Sequence, residues 1–300
     1  MSDIKLELLH NIELDGYIND SKISPSGGFA VVAIAYEAIL KVDLSTGVCS
    51  EVMSFRGDEV IGLSFSKDGF YLYVMLGSGF VAEIVTSRWV ENSRIKVASK
   101  FTYGEILVGE SRHYIYTLGS DDNMSEVDFQ MGEVARVCAV NNYGQNFSLS
   151  PDSKVAYFGR SSYLMALDLQ SWKLETVPVG PFLDVFAVAI DPAGSRAYVG
   201  SRFGEVGFRA IDLITNDYIF GVRGVGVRYL AIDSKDSLAF IVGDDGDKLP
   251  RAIYVYAVRG EVMRLLKLEM DDAKKIVVAP DDRYVCVNAD QFFRVFELLQ

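Results

Sequence analysis

Oxygen-bearing side chains recur along this 300-residue chain where a hard cation would need them. Asp15, Asp58 with Glu59, Glu105, Asn142 with Gln145, Asp184, and Asp271 with Asp272 each stand ahead of a short apolar run. Ca²⁺ takes about six to eight such oxygens. A cation held by Asp58, Glu105, Asn142, Asp184 and Asp271 would polarise a lactone or ester carbonyl and lower the pKa of an attacking water. The simpler account is a solvated rim on which acids cap turns, because no spacing gathers these residues into one ligand set. Arg223 occupies the one remaining place in the series.

A second group is built from aromatics and arginines. Tyr36, Phe80, Tyr143, Arg160, Tyr163, Phe182, Arg202, Phe203 and Arg223 flank the same kind of loop. These residue types anchor protein interfaces. Several of the rings are equally suited to packing inside the fold. The run from Asp244 to Arg251 looks like part of a calcium loop, but it lacks the distal Glu and helical flanks and reads as a charged loop.

Motifs for covalent or hydrolytic chemistry are missing: there is no HExxH, GxSxG, phosphate loop or CxxC pair. Two histidines, His10 and His113, are too few for a multi-histidine metal site; His113 reads as packed and His10 as solvated. Gly77 with Gly79 and Gly224 with Gly226 lie outside any strand-to-helix context and read as turns.

The elements that would position these residues follow from a repeat. Turns recur at Ser24–Gly27, Ser66–Gly69, Ser150–Ser153, Asp191–Gly194 and Ala279–Asp282, with weaker members near Ser111 and Ser234. Their second positions are 25, 67, 111, 151, 192, 234 and 280, a mean step of 42.5 residues and therefore seven units. Proline presets the turn, Asp or Ser bonds back to it, and glycine takes the left-handed position. Each turn leads into a run such as FAVVAIA, YLYVML or LAFIVG, apolar on both faces like a strand inside a stacked sheet. Further on, Asp43, Asp128, Asp168 and Asp212 each precede a second turn residue by four places; Trp172 departs from the Gly or Asn pattern there.

One unit is thus four strands, and seven units predict an all-β, seven-bladed β-propeller with four-stranded antiparallel blades. The expected domain is single, 1–300. Its blades run at about 16–55, 59–99, 104–140, 145–179, 185–222, 227–268, and 274–300 plus 3–10. The last unit lacks an outer strand, and Ile4, Leu6 and Leu8 alternate with Lys5 and Glu7 to offer one. The N-terminal strand is therefore expected to complete the last blade.

The stretch VAIDPAGSRAYVGSRFGEVGFRAIDLITNDY, Val188 to Tyr218, resembles the YVTN-type repeat of lactonase-like seven-bladed propellers. WD repeats are a poorer match, with two His, two Trp and no recurring GH…WD pair. The resemblance implies fold more than activity, since such propellers include binding scaffolds, surface-layer proteins, lactone hydrolases and dehydrogenase subunits.

Composition narrows the function. Half the residues are apolar and 23% are charged, enough for a large core. The net charge is −12 and no basic run exists, which speaks against nucleic acid and anionic membranes. The longest apolar run, Phe29 to Tyr36, is 8 residues, far short of a membrane helix. Cys49, Cys138 and Cys286 lie apart in apolar runs and read as reduced core residues; with no export signal in the opening residues, a cytoplasmic protein is expected. The leading expectation is a non-catalytic scaffold without a cofactor, binding a basic protein or peptide. The alternative is a calcium-type metal-assisted hydrolase of lactone-like or sugar-derived substrates.

Overall fold

The computed structural model describes residues 4–35, 38–111, 113–140, 146–179, 184–203, 207–244, 251–259 and 262–299. Of the site residues expected above, Tyr36, Asn142, Tyr143 and Phe182 lie outside them, as do Gln145 and residues 245–250.

The opening strand is β1 (Lys5–Glu13). Blade 1 holds β2 (Ile18–Ile23), β3 (Phe29–Ile34), β4 (Ala38–Asp43) and β5 (Cys49–Ser54); blade 2 holds β6 (Val60–Phe65), β7 (Tyr71–Leu76), β8 (Phe80–Val85) and β9 (Val90–Lys96). Blade 3 holds β10 (Gly104–Val108), β11 (Tyr114–Gly119), β12 (Asn123–Asp128) and β13 (Glu133–Ala139). Blade 4 holds β14 (Phe147–Leu149), β15 (Val155–Arg160), β16 (Tyr163–Asp168) and β17 (Lys173–Val177). Blade 5 holds β18 (Ala187–Ile190), β19 (Arg196–Gly200), β20 (Phe208–Asp212) and β21 (Tyr218–Val222). Blade 6 holds β22 (Gly226–Ile232), β23 (Leu238–Asp244), β24 (Arg251–Ala257) and β25 (Met263–Glu269). Blade 7 joins β26 (Ala273–Val278), β27 (Tyr284–Ala289) and β28 (Phe292–Leu299) to β1, in the order β1-β28-β27-β26. The chain is a seven-bladed β-propeller whose last blade takes its outer strand from the N-terminus.

β1 runs further than the alternation predicts. Leu6, His10 and Ile12 are half-buried, but Leu8 is 50% exposed, so the inward phase skips it. His10 is not a solvated terminus: its Nε2 lies 3.1 Å from the Ser45 carbonyl and its ring packs on Gly47, where a Cβ would collide.

Two compact units make up the chain, one of residues 8–141 and 290–295, the other of 1–7, 142–289 and 296–300. In each, apolar clusters fill the space between consecutive sheets. Val31, Ile39, Leu72, Val74 and Ile84 form one in the first unit; Tyr198, Phe208, Leu230, Ile241 and Tyr254 form another in the second. Second strands such as β7, β23 and β27 are buried almost throughout, as their two-faced apolarity requires. The cysteines divide. Cys286 is buried, whereas Cys49 and Cys138 sit half-exposed on the outer strands β5 and β13, not in the core.

Polar side chains also link neighbouring blades. The Asp20 carboxylate accepts the Leu63 N–H at 2.8 Å, and the Asn146 carboxamide accepts the Val188 N–H at 3.1 Å. Both stand five residues before their turn proline, Pro25 and Pro151, and both reach the following repeat. The same position in blades 6 and 7 holds Tyr229 and Lys275; the Lys275 ammonium lies 4.9 Å from the Tyr229 ring centre. On the turn side, Tyr198 donates to Asp236 at 2.6 Å, again one repeat on.

The second turn carries its own electrostatics. Asp43 accepts from the amides and hydroxyls of Ser45 and Thr46, and Gly47 follows at φ 71°. The Ser45 hydroxyl first, then the Thr46 amide, hold the Asp43 carboxyl down at about 2. Asp212, with the Thr215 and Ile214 amides, is shifted the same way. A carboxylate whose pKa is depressed in the folded state contributes stability above its ordinary range and loses it as pH falls toward about 2. An NMR titration is expected to place Asp43 near that value; an ordinary carboxylate titration would contradict the turn. Trp172 and Trp89 occupy the equivalent left-handed position at φ 61° and 52°, uncommon for so bulky a side chain.

Candidate interaction surface

The expected site residues that are described are divided between the two units. In the second unit a chain of contacts runs from blade 4 to blade 6. Arg160 and Tyr163 pair across the β15–β16 hairpin, with Ser161 between them at φ 51°. The Ser161 carbonyl accepts the Val185 N–H at 2.7 Å, and a Cβ on Gly159 would strike the Val185 carbonyl, so the hairpin lies directly on the loop that leads into β18. That loop presents Asp184, buried at 6% exposure, to the Arg202 guanidinium at 2.8 Å. The Phe186 ring lies 4.7 Å beneath the same guanidinium. Carboxylate and ring together fix the Arg202 planar fork, leaving part of it in solvent.

Next to it, Phe203 is 40% exposed and Tyr163 56% exposed. The Ser201 carbonyl accepts the Val227 N–H at 2.7 Å, which brings blade 6 against the same loop. Gly226 is a close-approach residue: a Cβ there would meet both the Arg202 carbonyl and the Asp244 carboxylate. Asp244, 2% exposed, pairs with Arg228 at 3.2 Å. Two guanidinium–carboxylate pairs thus flank one glycine. The site residues Arg160, Tyr163, Asp184, Arg202 and Phe203 come together here. Asp244, expected to open a charged loop, instead ends β23 and is paired. Arg228 and Phe186 carry no signal in the sequence; Arg228 sits inside β22, where its spacing looks like any strand residue. Arg223, exposed just after β21, lies against the same loop: a Cβ on Gly207, whose N–H bonds to the Phe203 carbonyl at 3.1 Å, would stand 3.3 Å from its Cα.

In the first unit Phe80 is covered by Lys96, 4.6 Å from the ring centre, with Arg94 at 5.9 Å. Asp58 accepts the Ser78 amide at 2.9 Å as well as its hydroxyl, the behaviour of a turn cap. Glu105 is not in a loop. It lies within β10 at 5% exposure, and Lys22 on β2 reaches it at 2.5 Å. Asp271 is exposed in the turn before β26. Glu105 and Asp184 therefore already hold cationic side chains, and among the described residues no group of three acid, His or Cys side chains has metal-binding geometry. A cleft of 310 Å³ in the first unit is lined by Glu13, Asp15 and Glu51 over Leu14, Ile34 and Leu40.

No protein-family model matches the chain, and no curated protein matches it. Among solved structures 1896 chains match, so the likeness identifies a common scaffold and no activity. One, from "Crystal Structure of Mitotic Checkpoint Complex", superposes with a TM-score of 0.84 at 14% identity and covers 100% of this chain and 94% of that one.

Proposed function

We propose that this propeller is a non-catalytic binding scaffold that engages a protein or peptide through the Arg160–Tyr163–Arg202–Phe203 surface. The observation that carries this reading is the fixing of Arg202 between Asp184 and Phe186 beside two exposed rings. A rigid guanidinium next to Tyr and Phe loses little freedom on binding, which favours a small set of strong anchors. That the superposable chain belongs to a multiprotein complex supports a protein partner. The net charge of −12 and the Glu13–Asp15–Glu51 cleft support a basic one. The Val188–Tyr218 stretch supports kinship with YVTN-type, lactonase-like propellers. No helix among the described residues is long and apolar enough to cross a membrane, and three unpaired cysteines support a reducing, cytoplasmic setting. The metal-assisted reading gains nothing from carboxylates committed to Lys22 and Arg202.

The test begins with affinity capture and identification of the partner by mass spectrometry, followed by titration with the purified partner. A Tyr163→Ala, Phe203→Ala double variant is expected to bind about tenfold or more weakly at an unchanged melting temperature. Equal affinity for both proteins would place the binding surface elsewhere.

A further inference from the structure

The outer strand of blade 5 differs from the other six. β1, β5, β9, β13, β17 and β25 each carry at least one charged residue, a common guard against pairing between sheet edges. β21 reads Tyr-Ile-Phe-Gly-Val and carries none. Tyr218 is 59% exposed and Ile219 40% exposed, and Gly221 is exposed beside them. A bulge marks the pairing of β21 with β20, but β5, β9, β13 and β25 have one as well and keep their charges. The bulge therefore does not stand in for the missing charge.

The Tyr218 hydroxyl lies 2.6 Å from where a Cβ on Gly221 would stand, and the Arg209 guanidinium sits 5.7 Å from the Tyr218 ring centre. The ring is thus laid back along its own strand and does not project from it. Charge returns only at the two ends, as Asp217 and Arg223. Both are exposed, and neither forms an ion pair among the described residues.

This arrangement is self-complementary. In an antiparallel pair of two such strands centred on Phe220, Asp217 of one copy falls opposite the partner subunit's Arg223, and the same pair forms again at the other end. Ile219 falls opposite a glycine and Tyr218 opposite a valine, so large residues meet small ones. We propose that β21 is a homodimerisation edge, joining two copies of this chain through a two-fold antiparallel strand pair. The contact is isologous and closes on itself, which leaves no free edge for further growth. It is short, so the association is weak and reversible.

Sedimentation of the purified protein up to about 1 mM tests it. The wild type is expected to show a concentration-dependent dimer. Arg223→Asp sets two acids opposite each other, and Asp217→Arg sets two arginines; each is expected to weaken the dimer about tenfold. Mixed together, the two variants restore opposite charges at both ends and are expected to associate with each other at wild-type strength. Ile219→Lys is expected to abolish the dimer with an unchanged circular dichroism spectrum. A wild type that stays monomeric throughout, single variants that dimerise normally, or a mixture no better than its parts would each overturn the proposal.

Discussion

Deletion of residues 1–13 is expected to leave a protein that aggregates or shows no cooperative thermal transition. β1 supplies the fourth strand of blade 7, and without it β28 becomes a bare edge of eight residues. The loss reaches the core. Ile4 and Leu6 pack on a cluster that includes Phe296, Leu298 and Val285, and Asn11 accepts a hydrogen bond from Arg294 at 3.0 Å. Removing two part-buried aliphatics alone costs about 2–5 kcal/mol. The ladder hydrogen bonds between β1 and β28 add to that. A domain stable by about 5–15 kcal/mol cannot absorb the sum. Size-exclusion chromatography and calorimetry check the outcome, and a synthetic peptide of residues 1–14 supplied in trans is expected to rescue soluble protein. A monomeric truncated chain with an unchanged transition would mean that β1 contributes little to blade 7.

Glu105→Gln is the second large effect. The Lys22 and Glu105 side chains are 18% and 7% exposed, so their attraction is poorly screened. Taking away only the carboxylate leaves a largely desolvated ammonium facing a neutral amide, a loss of about 3–5 kcal/mol. Replacing both, as Lys22→Met with Glu105→Leu, removes the desolvation along with the attraction and is expected to recover most of the stability. Urea denaturation of the three variants reads this directly. If the double variant were as unstable as the single, the two residues would act through separate neighbours and not as a pair.

The repeat was legible because turn chemistry is local. Pro25, Gly69, Pro151 and Gly194 occupy their turns for reasons that need no knowledge of the rest of the chain, and so does Asp43. The missing outer strand of the last unit was legible for the same reason, as a count of strands. What escaped was set by contacts across repeats. Lys22 and Glu105 are 83 residues apart, and no periodicity announces that a lysine in one first strand meets a glutamate two units later. Asp20 and Asn146 did leave a signal, a polar residue five places ahead of the turn proline, but only two of the blades spell it that way. Cys49 and Cys138 look buried because their neighbours are apolar, yet on an outer strand even the less exposed residues stay only half-covered. Arg202 stands out in the sequence by its type alone; that Asp184 holds it depends on which loops face each other.

The two tryptophans seated in left-handed turns have a practical use. Trp89 belongs to the compact unit of residues 8–141, where it meets the Phe29 ring at 6.4 Å, and Trp172 belongs to the other. Intrinsic fluorescence therefore carries one reporter per half. Trp89→Phe or Trp172→Phe leaves a single emitter, and comparing their denaturation curves asks whether the halves melt together or in sequence.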